Sequence, residues 1–125
     1  MKKVNTDKAP AAIGPYSQAI ISGGLVFTSG QIPVDPATGA VAGETIVEQA
    51  KQVMANLQVV LAAAGTTPER AVKTTCFLAD MADFAAFNEI YAQTFTSKPA
   101  RSCVAVRTLP KGVLCEVEVI AEVEY

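Results

Sequence analysis

Apolar residues recur with helical spacing between Thr45 and Gly65, at positions 46, 50, 53, 54, 57, 61 and 64. The segment opens with Thr45-Ile46-Val47-Glu48, a capping box in which the threonine hydroxyl and the glutamate carboxylate each accept a backbone N–H of the first turn. Gly65 supplies a residue that readily ends a helix. We predict an amphipathic helix here, with its apolar face packed on a sheet.

Short apolar runs elsewhere predict strands. Residues 17–22 and 25–29 form two such runs, and Gly23-Gly24 between them is a strong signal for a two-residue hairpin. A turn over residues 35–39 leads to a short extended segment at Ala40-Val41. These runs predict an N-terminal hairpin followed by a brief third strand.

A third apolar run, Val72 to Ala79, predicts a mostly buried strand. After it, Asp80 or Asp83 can cap a second helix over roughly Asp83 to Thr94. The apolar stripe of that helix consists of Phe84, Phe87, Ile90, Tyr91 and Phe95. Pro99 then ends the helical region before the last two strands.

In the last strand, the odd positions from 113 to 123 are apolar, whereas the even positions carry four glutamates. The turn at residues 108–112 is expected to fold the last two strands into a hairpin, which would bring Arg101 near Glu116 or Glu118. Arg101 is then either one half of a structural ion pair or a clamp for an anion, since its planar fork matches a carboxylate.

The predicted order is β-β-(β)-α-β-α-β-β, which indicates an α+β fold with two helices on one face of a mixed sheet. Several strands have apolar residues for both faces, among them Ile20, Ile21, Val26, Phe27, Phe77 and Leu78. Two helices can cover only one of the two faces of this sheet, so the apolar residues of the other face need another partner. We therefore expect a homo-oligomer that packs sheet faces together, as a closed ring or a dimer.

Composition narrows the function. The 125 residues fit a single domain, 1–125, in which half of the residues are apolar and the net charge is −2. This balance offers no electrostatic attraction for nucleic acid or an anionic membrane. The chain has no histidine, which excludes Ser-His-Asp and Cys-His mechanisms and a histidine-based zinc site.

Three cysteines, Cys76, Cys103 and Cys115, lie in apolar runs. They are best explained as reduced core residues, with a reactive thiol or a metal-binding cluster as the alternatives. No apolar segment follows Met1-Lys2-Lys3 as it would in a signal peptide, and no run reaches transmembrane length. We expect a soluble, cytoplasmic protein.

Four further positions are candidates for chemistry. Glu116 lies among apolar residues and is a candidate for a partly buried carboxylate with a perturbed pKa. Tyr16, after the bend at Gly14-Pro15, is either a packed anchor or a phenol directed into a cleft. Ser29-Gly30 ends a strand and exposes backbone N–H groups that could hold a carboxylate oxygen. Asn88 on the second helix is either a solvated or helix-capping residue or a ligand contact.

The remaining glutamates of the last strand, Glu118, Glu122 and Glu124, are interpreted as a charged edge or rim that keeps the strand soluble and blocks unwanted pairing.

Four stretches of the chain resemble the reactive-intermediate deaminase family, the Rid or YjgF-like group often labelled endoribonuclease L-PSP. They are APAAIGPYSQAI (9–20), FTSGQIPVDPATG (27–39), VKTTCFLADMADFAAFNEIY (72–91) and PARSCVAVRTLPKGVLCEVEVIA (99–121). The resemblance implies a chorismate-mutase-like (bacillary type) fold and a homotrimer with active sites between subunits. It also implies hydrolysis of 2-imino acids, such as 2-iminobutanoate and 2-iminopropanoate, to 2-keto acids and ammonia, with no cofactor and no metal.

The resemblance also implies roles for single residues. Arg101 would hold the substrate carboxylate, Glu116 would orient a water molecule, and Tyr16 would line the pocket. The substrate-binding positions would be Ser29, Gly30, Asn88 and Cys103, the last through its backbone.

The segment 94–98 is shorter than in typical relatives, and Lys98 stands where an aromatic residue usually precedes Pro-Ala-Arg. Substrate preference is therefore open. A regulatory protein that binds small keto acids is an alternative to the enzyme. An endoribonuclease is a further alternative, disfavoured by the acidic balance and the absence of a basic stripe.

Overall fold

Six strands form one mixed sheet in the computed structural model, which describes residues 1–123, in the order β1-β2-β3-β6-β4-β5. The strands are β1 Lys2–Val4, β2 Ala19–Ser22, β3 Leu25–Thr28, β4 Ala71–Leu78, β5 Ala100–Ala105 and β6 Cys115–Glu122. The helices are α1 Ile46–Ala63 and α2 Phe84–Thr94, and short 3-10 turns occupy Pro68–Arg70, Met81–Asp83 and Pro110–Gly112. The predicted α+β fold, with two helices on one face of a mixed sheet, is confirmed.

Helix α1 forms as predicted. The Thr45 hydroxyl accepts the Glu48 N–H at 3.2 Å, and the Glu48 carboxylate accepts the Thr45 N–H at 3.3 Å. Hydrogen bonds from Thr45 hold the pKa of Glu48 below its usual range. Gly65, at φ +84°, lies just beyond the end of the helix in a conformation that favours glycine. All seven predicted apolar positions are buried, so this stripe forms the centre of the core.

The N-terminal strands extend the sheet on one side. Strands β2 and β3 pair antiparallel across Gly23-Gly24, both at positive φ, so the predicted hairpin is confirmed. The short segment at Ala40-Val41 is reduced to one bridge between Val34 and Val41. Strand β1 was not predicted, because three residues with two lysines give no alternating pattern, yet it pairs with β2 along the outer edge.

The predicted hairpin between the last two strands is wrong. Strand β4 lies between them, pairing parallel with β5 and antiparallel with β6. Arg101 is paired with Thr74, whereas Glu116 is paired with Phe77. Helix α2 provides the crossover that two parallel strands require. The turn that follows β5 therefore carries the chain past β4 instead of closing a hairpin.

The two sheet faces differ as the sequence indicated. The odd residues of β6 from 115 to 121 are buried under the helices, whereas Glu116, Glu118 and Ile120 on the even face are half-buried. Phe27 and Val104 on this open face are 41% and 45% exposed. Because β6 is an interior strand, its glutamates do not form a sheet edge, so the edge part of that interpretation is wrong. Glu122 is exposed, and Glu124 lies outside the described residues.

Asn56 ties the loop after β3 to helix α1. Its side chain is buried, and its Nδ2 donates to the carbonyl oxygens of Ile32 at 3.2 Å and Val34 at 3.0 Å. Its Oδ1 accepts the Gln52 amide at 2.9 Å. This contact fixes the segment that immediately follows Gly30.

Asn56→Leu is expected to lower the free energy of unfolding by about 2 kcal/mol, because the Ile32 and Val34 carbonyls each lose the Asn56 donor while the side chain keeps its branched shape. The Ile32 carbonyl keeps the Val34 N–H, whereas Asn56 is its partner from helix α1. Urea denaturation measures the change. The exposed Gln58→Leu on the same helix is the control and should shift the free energy by less than about 0.5 kcal/mol. Equal midpoints for both variants would contradict the structural role of Asn56.

Neither helix within residues 1–123 combines the length and apolarity needed to cross a membrane.

Candidate functional site

Arg101 lies on β5, the strand at one edge of the sheet, and its side chain is directed to the helix-covered face. Its Nη1 donates to Asn88 Oδ1 at 2.7 Å. The guanidinium carbon lies 4.8 Å from the centre of the Tyr91 ring and 5.5 Å from that of Phe84, within range of a cation–π contact. Cys103, two residues along β5, shares this face. We call these five residues the arginine cluster.

No carboxylate in residues 1–123 forms an ion pair with Arg101. Its polar partner is the neutral amide of Asn88, which takes one of five N–H donors and leaves the positive charge in place. Of the two alternatives for Arg101, the structural ion pair with Glu116 or Glu118 is therefore wrong. A half-buried guanidinium with donors to spare is suited to binding the carboxylate of a ligand.

Glu116 lies on the open face of the sheet, at its interior strand β6. A Cβ atom at Gly30 would collide with the Glu116 carboxylate, so the close approach of these two residues depends on glycine. Burial, assisted by the negative charge of Glu118, raises the pKa of the half-buried Glu116. The predicted perturbed carboxylate is confirmed. A raised pKa makes the ionised form a better proton acceptor near neutral pH.

Tyr16 and Gly30 line one cleft of about 450 Å³, whereas Ser29 and Glu116 are not among its lining residues. Glu116 is connected to this cleft only through its close approach to Gly30. The Tyr16 side chain is 54% exposed, so it is not packed in the core of the chain. The Ser29 amide donates to the Gln18 carbonyl at 2.9 Å and its hydroxyl to the Ser17 carbonyl at 2.6 Å. The sequence predicted exposed backbone N–H groups at both Ser29 and Gly30, and this prediction is wrong for Ser29.

The next amide, that of Gly30, donates to no backbone carbonyl in residues 1–123. We call Tyr16, Ser29, Gly30 and Glu116 the glutamate cluster.

The cysteines are free, and burial raises the pKa of the Cys76 and Cys115 thiols to about 12. These two match the predicted reduced core residues. Cys103 is half-buried, and burial also raises the pKa of its thiol. No group of three or more potential metal-binding side chains (Cys, Asp or Glu) was found among residues 1–123.

The two clusters lie on opposite faces of the sheet. Arg101 contacts residues of α2 on the helix-covered face, whereas Glu116 lies on the open face, and β4 separates their strands. Their side chains therefore do not meet within one chain. A ligand that contacts both would need the arginine cluster of one copy and the glutamate cluster of another.

Sequence reasoning assigned Phe84 and Tyr91 to the apolar stripe of the second helix and missed their contact with Arg101. Helical spacing contained the signal: Phe84, Asn88 and Tyr91 are four and three residues apart, so they share one face of α2. Asn88 is a polar residue in the middle of that face. The structure shows Asn88 half-buried, with its side-chain oxygen accepting a hydrogen bond from Arg101.

A family model described as endoribonuclease L-PSP matches residues 6–123. A RutC family protein of Synechocystis is 55% identical, over 97% of this chain and 95% of that protein. A Salmonella typhimurium protein named 2-iminobutanoate/2-iminopropanoate deaminase is 51% identical, over 96% of both chains. The crystal structure of Escherichia coli TdcF with bound serine matches with a TM-score of 0.93 and 43% identity, over 99% of this chain and all of that one.

Proposed function

The chain belongs to the endoribonuclease L-PSP family, the Rid or YjgF-like group, and we propose that it hydrolyses small 2-imino acids to 2-keto acids and ammonia. The observation that carries the proposal is the Arg101 guanidinium, held by Asn88 and neutralised by no carboxylate in residues 1–123. The Salmonella relative's name supports 2-iminobutanoate and 2-iminopropanoate as substrates.

In the proposed reaction, Arg101 holds the substrate carboxylate through two parallel hydrogen bonds. The protonated imine carbon is electrophilic, so the enzyme supplies position and a proton acceptor instead of a covalent nucleophile. Glu116 accepts a proton from water as the water oxygen bonds to that carbon and the C=N electrons move to nitrogen. The proton is then passed to nitrogen, ammonia leaves, and loss of the hydroxyl proton leaves the keto group.

We further propose that each active site joins the arginine cluster of one subunit to the glutamate cluster of its neighbour in a homotrimer. The clusters lie on opposite faces of one sheet, and the open face exposes apolar side chains that a monomer in water would leave uncovered. The cleft beside Tyr16 has room for a small imino acid.

Light scattering of the purified protein at micromolar concentration is expected to give the mass of three 13.1 kDa chains. A closed assembly buries the open sheet face and brings the two clusters together. A mass that stays at one chain over this concentration range, for active protein, would contradict the shared site.

The activity is tested by generating 2-iminobutanoate in situ with a threonine dehydratase and following the release of 2-oxobutanoate and ammonia. We expect the wild-type protein to accelerate release over the spontaneous reaction. Release at the spontaneous rate, from protein that is folded and oligomeric, would refute the proposed hydrolysis.

Binding of a small acid without catalysis is the second candidate. The TdcF structure favours it, since that relative binds serine, a small molecule with a carboxylate. Calorimetric titration with 2-oxobutanoate and serine separates the two functions. Binding by a protein that does not accelerate imine hydrolysis would favour the regulatory function over the enzyme.

Gly30→Ala is expected to lower kcat by about tenfold or more, because the new methyl group displaces the Glu116 carboxylate. Steady-state assays and the thermal midpoint of the variant measure the effect. In the double variant with Glu116→Gln, Gly30→Ala should add little further loss, because both changes act through one carboxylate. Full additivity would show that Gly30 acts by another route.

A further inference from the structure

Tyr91 contacts the guanidinium of Arg101, the group proposed to bind the substrate carboxylate. It is not among the residues that line the cleft beside Tyr16. Its side chain is buried, and its ring is the closer of the two aromatic rings to the Arg101 guanidinium, at 4.8 Å against 5.5 Å for Phe84. A ring at this distance attracts the cation through its π face and limits the orientations of the guanidinium plane. Asn88 holds one end of the same group.

Thr74 fixes the Tyr91 ring from the sheet. The Thr74 hydroxyl and the Tyr91 hydroxyl lie 2.7 Å apart, and Thr74 is completely buried. Thr74 is also the register partner of Arg101 on the neighbouring parallel strand. The strand that carries the arginine and the strand that anchors its aromatic support are therefore hydrogen-bonded neighbours.

Core packing alone does not require the hydrogen bond between the Tyr91 and Thr74 hydroxyls. A tyrosine phenol is protonated at neutral pH, and burial raises the pKa of Tyr91 further, so it pairs with Thr74 as a neutral group. A phenylalanine would fill the same space and keep the stacking with Phe95 at 4.8 Å. The hydroxyl adds a hydrogen bond with Thr74, which satisfies two buried polar groups and also fixes the ring orientation beneath Arg101.

We infer that Tyr91 is a positioning residue, oriented by Thr74, which holds the Arg101 guanidinium ready to receive the substrate carboxylate. The inference rests on the proposed function for its kinetic consequence, but its structural part does not depend on it. Preorganisation of this kind strengthens substrate binding, because the guanidinium loses less freedom when the carboxylate binds.

The kinetic test uses Tyr91→Phe and Thr74→Val, which each remove one hydroxyl at nearly constant volume. Both are expected to raise KM for 2-iminobutanoate about fivefold while kcat changes less than about twofold. The double variant should be no worse than either single one, because both hydroxyls belong to one hydrogen bond. Thr74→Ser, which keeps the hydroxyl, should restore the wild-type KM.

The structural test is a side-chain NMR measurement on the free, full-length protein. The Arg101 Nε–H resonance is identified by its absence in Arg101→Lys, and its heteronuclear NOE reports mobility. We expect a rigid side chain in the wild type and increased mobility in Tyr91→Phe and Thr74→Val. Leu57→Ala, in the core of α1, is the control: it should lower the thermal midpoint without changing the resonance.

The outcomes separate the two proposals. If the wild type does not accelerate imine hydrolysis, the proposed function fails, and the Arg101 resonance alone decides the role of Tyr91. If Tyr91→Phe and Thr74→Val leave both the Arg101 mobility and KM at wild-type values, the positioning role is refuted. A change that also appears in Leu57→Ala would refute it as well, because it would then report lost stability.

Discussion

Arg101→Ala is expected to lower kcat/KM for 2-iminobutanoate by about a hundredfold or more, corresponding to about 3 kcal/mol of lost transition-state binding. In the proposed reaction this guanidinium provides both the charge and the geometry that hold the substrate carboxylate. Arg101 donates to the neutral amide of Asn88. Replacing Arg101 therefore breaks no ion pair with another residue in the described part of the chain. Steady-state assays of 2-oxobutanoate release measure the loss.

Two further variants separate charge from geometry. Arg101→Lys keeps the charge but loses the planar fork, so it should recover only part of the lost kcat/KM. The exposed Arg107→Ala is the matched control and should behave as wild type. Unchanged kcat/KM in a folded, oligomeric Arg101→Ala would exclude the proposed clamp.

Glu116→Gln is expected to lower kcat by about a hundredfold to a thousandfold with a smaller effect on KM, because the amide cannot accept the proton of the attacking water. Glutamine keeps the volume and most of the polarity at the contact with Gly30. A variant that loses substrate binding but keeps kcat would show that Glu116 acts in binding alone.

The same residue determines the acid limb of the pH profile. Activity requires ionised Glu116, so kcat/KM should fall as the pH drops through its pKa, which burial and Glu118 raise above that of an ordinary glutamate. Glu118→Gln removes a neighbouring negative charge and should lower this pKa. The acid limb of Glu118→Gln should therefore move to lower pH, and a limb that does not move would argue against Glu116 as the titrating group.

The local elements of the fold could be predicted from sequence because short-range patterns determine them. The capping box at Thr45, the stripe of α1 and the Gly23-Gly24 hairpin depend on residues close together in the chain. The pairing of β4 with both β5 and β6 depends on distant segments. A short turn before β6 suggests a hairpin, and nothing local shows that β4 lies in between.

In the candidate site, too, the residue types could be predicted from sequence, whereas their spatial arrangement could not. Sequence identified the residue types, Arg101 and Glu116 among them, and the burial of Glu116 was predicted correctly. Their expected proximity depended on the wrong hairpin, so the sequence placed on one ladder two groups that the structure places on opposite faces. The support of Arg101 by Tyr91 was missed because an aromatic residue in an apolar stripe looks like ordinary core.

The shared site is tested most directly by mixing Arg101→Ala with Glu116→Gln, two variants that should each be nearly inactive. After equal amounts are unfolded together and refolded, a site that takes Arg101 from one copy and Glu116 from its neighbour should be intact at about a quarter of interfaces, by random assembly of a ring. We expect the refolded mixture to recover about that share of wild-type activity. A mixture of co-assembled chains that stays as inactive as its components would contradict it.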